Sequence, residues 1–386
     1  MKRLLPLVLL LALSCASARP RPIAIPLETL DDRLLLVHVR VNGSRPLTFI
    51  VDTGADDGDI INRDLLPELG LHEGARQSIA NPGGAVQMAP VTDVTLQVGP
   101  LLLHGETLLT APLSQFAPLL GRPVDGILGQ AFLSRFAVRF DYVGRRMILN
   151  DGNRTGVRLP LIVTNGMPFI DVAVSNHGRT APARVEIDTG SFEALGSNSR
   201  YVATAGLLNP GDARFEETGV AMGGETEAFR VRVDALKVGP FELRRPAIAA
   251  TTEEGGYQSS VKSAGVLGAE ALRRFDLLID YPNAAVYISP NAHFGDAWIE
   301  DVTGMRVLAT PPDFRKKTIG DVFRHSPADE AGIRPGDELI TIDGRPVADR
   351  SVEQIMATFR RSVSRRLSLM RNGAKIAPTL RPHPMT

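Results

Sequence analysis

The stretch Phe49-Ile50-Val51-Asp52-Thr53-Gly54-Ala55 has a near copy in Val185-Glu186-Ile187-Asp188-Thr189-Gly190-Ser191. Each is a short apolar run with β-branched residues that ends in Asp-Thr-Gly, which reads as a strand delivering an aspartate into a tight turn. The two aspartates stand 136 residues apart. Other landmarks return in the same order. Gly126-Ile127-Leu128-Gly129, Phe136 and Asp141-Tyr142 recur as Gly265-Val266-Leu267-Gly268, Phe275 and Asp280-Tyr281, all at an offset of 139. Gly83-Gly84 and Val98-Gly99-Pro100 recur as Gly223-Gly224 and Val238-Gly239-Pro240 at an offset of 140. A period this long is a doubled domain, not an array of solenoid repeats. It predicts one lobe over 22–150 and a second over 156–290, separated by the polar turn Asn150-Asp151-Gly152-Asn153.

Inside each lobe a hairpin precedes the aspartate. Leu34 to Val41 alternates in part, Asn42-Gly43 is a strong tight-turn signal, and Leu47 to Val51 returns. Phe169 to Val174, a turn at Asn176-His177-Gly178 and Ala183 to Ile187 repeat the plan, with a slightly longer loop expected. Only 5% of the residues are aromatic, and 36 Gly and 28 Pro suit many short strands and turns, so the fold class is mainly β. At 386 residues there is room for a third domain after the two lobes. Lys plus Arg equals Asp plus Glu at 43 each, which excludes a strong field for nucleic acid and points to peptide or protein partners.

Two carboxyls held about 3 Å apart cannot both ionise and so share one proton, which supplies an acid and a base together. The ionised member takes a proton from water as it attacks a peptide carbonyl, and the other donates to the developing oxyanion, so no metal or cofactor is needed. On this reading Gly54 and Gly190 give the turns backbone freedom to come face to face, and Thr53 and Thr189 hydrogen-bond across the interface. The motifs differ next at Ala55 and Ser191. A serine hydroxyl donating to its aspartate favours the charged form, which predicts Asp188 as the ionised partner and Asp52 as the protonated one. The acidic run Asp56, Asp57 and Asp59 would raise carboxyl pKa values nearby. It reads first as a solvated turn, and as a cation site its spacing does not fit an EF-hand loop.

The paired Asp-Thr-Gly motifs, each followed by two apolar residues and a glycine further on, resemble the aspartic peptidase superfamily, and best its bacterial retropepsin-like branch. The resemblance implies two tandem β-barrel lobes meeting on a pseudo-two-fold axis, with Asp52 and Asp188 as the catalytic dyad. Ile127-Leu128-Gly129 and Val266-Leu267-Gly268 would pack beneath the two motif loops. It makes the flaps the Gly83-Gly84 and Gly223-Gly224 hairpins, whose lack of a neighbouring tyrosine is similar to retroviral flaps.

Past Val302 the character of the chain changes. Ser326-Pro327-Ala328-Asp329-Glu330-Ala331-Gly332-Ile333-Arg334-Pro335-Gly336-Asp337, a strand over Glu338–Ile342 and the turn Asp343-Gly344 resemble a bacterial PDZ domain over 302–384. Strands are expected near Met305–Leu308, Ile319–Phe323 and Arg366–Met370, with a helix near Val352–Arg360. Such domains bind extended peptides by strand addition, and the resemblance makes Gly304-Met305-Arg306-Val307 the carboxylate-binding loop for a peptide C-terminus. The other reading of that segment is a sheet edge packed on the peptidase lobes.

Lys2 and Arg3, the apolar run Leu4 to Leu13 and the small residues up to 18 form a secretory signal peptide. The sole cysteine, Cys15, follows Leu11-Ala12-Leu13-Ser14 as in a lipoprotein processing box, so either Cys15 is lipidated or cleavage follows Ala16-Ser17-Ala18. The expectation is an exported monomer, periplasmic or an outer-membrane lipoprotein in a bacterium and secreted otherwise, touching membrane only through that lipid. Seven scattered histidines lack zinc-helix spacing, and no Gly-x-Ser-x-Gly elbow, Walker loop or dinucleotide fingerprint is present. Together these readings predict an aspartic endopeptidase whose PDZ domain recruits substrate or partner peptides. The alternative is a catalytically silent peptide-binding scaffold.

Overall fold

The computed structural model describes residues 21–56, 58–164, 166–253 and 263–385. Residues 1–20 with Cys15, expected to be a leader, and Asp57 lie outside the described residues.

In the first lobe the alternation of Leu34–Val41 sets one side of the strand into the core, and the strand pairs antiparallel with Leu47–Val51. Sheet order then runs through Gly126–Leu128, Ile60–Asn62, Leu101–Ala111 and Gly84–Val98, and the last pairs back on Leu34–Val41 through Val39 and Val98. The sheet is therefore a closed barrel without free edges along that circuit. The second lobe repeats the order with Met167–Asn176, Arg179–Asp188, Gly265–Gly268 and Leu195–Ser197. Its long hairpin is broken into Gly224–Arg232 plus Ala235–Val238 and Phe241–Arg244 plus Ala247–Ala250. Pro246 stands at the break, where it has no N–H to give a ladder.

The loop of the hairpin before the second aspartate is shorter than that of the first, contrary to expectation. Only His177-Gly178, both with positive φ, separate its strands, whereas residues 42–46 separate the first pair. Pro46 holds that ladder off until Leu47, so the Asn42-Gly43 turn closes without immediate pairing beyond it.

A six-stranded antiparallel sheet joins the lobes in the order Ile23–Pro26, Arg146–Leu149, Ala137–Asp141, Phe275–Asp280, Ala285–Pro290, Val157–Pro160. Three strands come from each half, and the pseudo-two-fold passes between the central pair, where Val138 faces Ile279 and Phe140 faces Leu277. All four of these side chains are buried.

The C-terminal domain has strands Met305–Ala309, Lys317–Val322, Glu338–Ile342 and Arg365–Arg371 around the helix Val352–Phe359. A capping box between Ser351 and Gln354 starts that helix. Met305, Val307, Ile319, Leu339, Ile355, Phe359 and Leu369 make its separate core.

Phe140 is fully buried on the shared sheet, whereas Leu102 is 56% exposed. Phe140→Ala is expected to cost about 3–5 kcal/mol, and Leu102→Ala to stay within about 0.5 kcal/mol, read from urea-unfolding midpoints of the full chain.

Candidate active site

The strands Leu47–Val51 and Arg179–Asp188 each run parallel to the strand that carries the repeated Leu-Gly, with Val51 opposite Leu128 and Ile187 opposite Leu267. Asp52 N donates to Leu128 O at 3.0 Å, and Ala269 N donates to Ser191 O at 2.8 Å, so each motif loop is tied to the segment beneath it. A Cβ on Gly129 would stand 2.3 Å from Gly58 O, and one on Gly268 2.4 Å from Glu193 O, which explains why these segments end in glycine.

The two Asp-Thr-Gly turns meet through their threonines. Thr53 Oγ1 donates to Ile187 O at 2.6 Å and accepts from Thr189 N at 3.1 Å. Thr189 Oγ1 donates to Val51 O at 2.7 Å and accepts from Thr53 N at 3.1 Å. Both side chains are fully buried, and each hydroxyl serves as donor and acceptor at once. Gln130 extends the contact, donating from Nε2 to Thr53 O and to Tyr281 Oη of the second lobe.

This pairing sets Asp52 and Asp188 side by side, each carboxyl against the glycine of the opposite motif. Gly54 N donates to Asp52 Oδ1 at 2.8 Å, while Gly190 N and Ser191 N donate to Asp188 Oδ1 at 2.9 and 3.0 Å. Gly54 and Gly190 are needed for space and not for backbone freedom, since neither has a positive φ. A Cβ on Gly54 would lie 2.8 Å from Asp188 Cγ, and one on Gly190 2.4 Å from Asp52 Cγ. Any side chain at either position would push the carboxyls apart.

Burial pushes both carboxyls up, and Asp188 is carried further by the negative charges of Asp52 and Glu186. Asp52 is held back by the N–H groups of Gly54 and Gly190, with Asp56 acting in the opposite sense. The Ser191 hydroxyl does not supply the bond on which the opposite assignment was expected. That hydroxyl accepts from Glu193 N at 3.4 Å, and the group that reaches Asp188 is the Ser191 backbone N–H, which any residue supplies. Glu186 is buried two residues before Asp188 on the same face of the strand, where Ile50 stands in the first lobe. A lone charge in an otherwise apolar run was its visible signal. Tyr281 belonged to the repeated Asp-Tyr landmark, and Gln130 was marked only by following Gly129.

The acidic run also departs from the solvated turn. Asp56 is exposed, but Asp59 is buried and accepts from Gly129 N at 2.7 Å, and burial pushes its carboxyl up to about 7.

The two flap hairpins meet tip to tip. Gly223 N donates to Pro82 O at 2.9 Å, and a Cβ on Gly83 would stand 2.5 Å from Gly224 O. Gly84 and Gly224 have φ of 139° and 134°, a region that other residues rarely enter. Val86, Met88 and Met222 from the flaps pack in one apolar cluster with Ile50, Ala55, Ile127 and Phe192 beside the motifs. The hairpins therefore close onto the floor that carries the two aspartates.

Beyond Asp188 the surroundings turn polar. Arg230 pairs with Glu193 and, at 2.7 Å, with Glu217, whose carboxyl burial pushes up to about 7. Arg33 from the first lobe pairs with Asp31 and donates to Phe192 O at 3.5 Å. These residues line a cavity of about 280 Å³ shared with Trp298, Asp301 and the Met356–Arg360 end of the C-terminal helix.

The segment Gly304-Met305-Arg306-Val307 offers no open carboxylate loop. Gly304 N donates to the chain's own Asp301, Met305 and Val307 face the domain core, and Arg306 bridges Asp321 to Thr218 O of the second flap. The sheet edge is packed on the peptidase-like lobes, as in the second reading of this segment.

An aspartyl protease family model matches residues 37–132, and a PDZ domain model matches residues 318–368. The first match includes Asp52, while the second lobe is related to it by the internal repeat. Solved structures similar to this chain include basic 7S globulin from soybean, at 13% identity over 72% of this chain and 97% of that one, with a TM-score of 0.39. A retropepsin-like aspartic protease from Rickettsia conorii is 20% identical over 34% and 99% of the two chains, with a TM-score of 0.26. EIAV protease complexed with the inhibitor HBY-793 is 22% identical over 31% and 90%, with a TM-score of 0.20. No curated protein matches the chain. The protein is thus mainly β, with a retropepsin-like aspartyl protease match followed by a PDZ domain.

Thr53→Val and Thr189→Val keep shape but remove a hydroxyl and strand its two backbone partners. Each is expected to cost about 1–3 kcal/mol, and the double variant less than the sum because the bonds form one network. Denaturant unfolding of the four proteins of the cycle checks this.

Proposed function

We propose that this chain is an aspartic endopeptidase in which Asp52 and Asp188 share one proton and activate water against a peptide bond. The observation that supports it most is the reciprocal threonine bonding, which sets two half-buried carboxyls, each against the other motif's glycine, beneath the flap hairpins. Asp188, pushed higher, carries the proton, and Asp52 is the base.

Water oxygen attacks the carbonyl carbon, its proton passes to Asp52, and the Asp188 proton passes to the carbonyl oxygen, giving a neutral gem-diol. Breaking the C–N bond then sends the Asp52 proton to the leaving nitrogen and returns a gem-diol hydroxyl proton to Asp188. Both aspartates end as they began, and no metal or covalent intermediate enters. Low dielectric around the pair strengthens each of these interactions. The floor and flap residues Ile50, Val86, Met88 and Ile127 favour an apolar side chain next to the scissile bond on the first-lobe side. The leader and Cys15 would put this activity in the cell envelope or outside the cell.

Cleavage of an unstructured peptide library from pH 3 to 8 tests the reading. Wild type is expected to cut, and Asp52→Asn and Asp188→Asn each to lose at least about a thousandfold in kcat/KM. A variant that keeps its activity overturns the shared dyad, and a folded wild type that cuts nothing at any pH favours the silent scaffold.

The pH profile carries a further expectation. Activity needs one proton on the pair, so it falls at low pH as Asp52 protonates and at high pH as the pair loses its shared proton. Glu186 raises the upper of these values, so Glu186→Gln should move the alkaline limb to lower pH and leave the acid limb nearly in place. An unmoved alkaline limb rules out that role for Glu186.

A further inference from the structure

A PDZ domain offers a peptide the groove between a strand edge and a helix. Here the strand is Met305–Ala309, at the edge of its sheet, and the helix is Val352–Phe359. Both are in contact with a short helix of the first lobe, Ala117–Leu120. The approach is close, since a Cβ on Gly121, just past that helix, would stand 2.8 Å from Val352 Cγ2. The loop before the strand is filled as well. Asp301 accepts from Thr303 N at 2.7 Å, from Thr303 Oγ1 at 2.7 Å and from Gly304 N at 3.1 Å. Groove and carboxylate position thus both hold residues of the same chain, one apolar and one a carboxylate.

We propose that Ala117–Leu120 and Asp301 form an internal latch that holds the PDZ groove shut, and that a chain ending in an apolar residue with a free carboxylate opens it. The occupant names the ligand's chemistry: Ala117 is buried and apolar, so a small aliphatic terminus replaces it, and a terminal carboxylate replaces Asp301 on the Thr303 and Gly304 amides. A tethered segment competes at an effective concentration on the order of millimolar, so the closed groove binds peptide weakly until the latch lets go.

The latch reaches the candidate active site. Leu113, Phe116, Leu119 and Leu120 belong to the apolar cluster that includes Val86 and Met88 of the first flap and Met222 of the second. Gln115 Nε2 donates to Met222 O at 3.0 Å. Pulling Ala117–Leu120 out of the groove therefore loosens both flaps, and on the peptidase reading above, which this consequence rests on, turnover rises.

A crosslink tests the latch without using turnover. A Cβ on Gly121 lies 3.3 Å from Val352 Cβ, close to the roughly 3.5–4.5 Å of a disulfide, so Gly121→Cys with Val352→Cys in a full chain carrying Cys15→Ser locks the latch when oxidised. The probe is a pool of short fluorescein-labelled peptides ending in Ala, Val or Leu with a free carboxylate, beside the same pool amidated. The reduced form is expected to bind the carboxylate pool at least about tenfold tighter than the oxidised form, with the amidated pool weaker on both. In wild type, saturation with the carboxylate pool should speed amide hydrogen exchange in residues 113–121. Equal binding by the two forms, binding to wild type without faster exchange there, or binding to neither form overturns the latch. If the latch opens as described but no peptide bond is cut in any state, the peptidase reading fails and the latch stands.

Discussion

Two threonine hydroxyls, each donating to a carbonyl behind the opposite aspartate and accepting the opposite backbone N–H, set the distance between the lobes where it matters. Their net contribution to stability is modest, about 1 kcal/mol per bond. Their geometric demand is large, because a rotation of either lobe would leave four buried polar groups unpaired at once. The shared six-stranded sheet fixes the opposite side of the same interface, and the Gln130–Tyr281 bond lies between the two layers. With the lobes pinned in this way, Gly54 and Gly190 keep the space at the motif tips clear for the opposite carboxyl.

Duplication alone would put both aspartates in the same environment and divide one proton evenly between them. The chain breaks that symmetry without moving the backbone. Ile50 and Glu186 occupy the same strand position in the two lobes, the first inside the apolar cluster under the flaps and the second a buried carboxyl behind Asp188. The flap and floor residues follow the same division, apolar on the first-lobe side and charged around Arg230, Glu193 and Glu217 on the other. A two-fold scaffold thus carries a one-fold field, and it is the field that distinguishes an acid from a base.

What was legible in the sequence is what periodicity and repetition encode. The strand before each aspartate, the Leu-Gly segments and the flap tips all sit at near-constant offsets, and the C-terminal strands and helix fall within about two residues of where alternation and helical spacing put them. Side-chain direction was not legible. Ser191 looked like a hydroxyl donor to Asp188, but its loop turns that hydroxyl toward Glu193 N and leaves the backbone N–H for the carboxyl. Asp59 looked solvated among its acidic neighbours, yet it closes on Gly129 N because the strand starting at Ile60 draws it inward. The six-stranded sheet was hidden for another reason, since three of its five pairings join strands far apart in the chain and no local pattern announces those partners.

The junctions also differ in kind. The lobes meet through a continuous sheet with Val138, Phe140, Leu277 and Ile279 buried on it, an interface that separates only by unfolding. The C-terminal domain meets the lobes through the Ala117–Leu120 helix and through polar contacts: Asp31 is shared between Arg33 and Arg360, Arg306 reaches Thr218 O, and the Phe215–Phe323 ring contact at 6.0 Å adds apolar area. Charged groups held at such a seam repay much of their own desolvation and no more, and water replaces their partners when the seam opens. A polar seam therefore parts at lower cost than an apolar one of equal area. The element that crosses it, residues 113–120, is packed on the flaps at one end and against the C-terminal groove at the other. Coupling between two sites requires an element with two arrangements that both sites bias, and this short helix touches both.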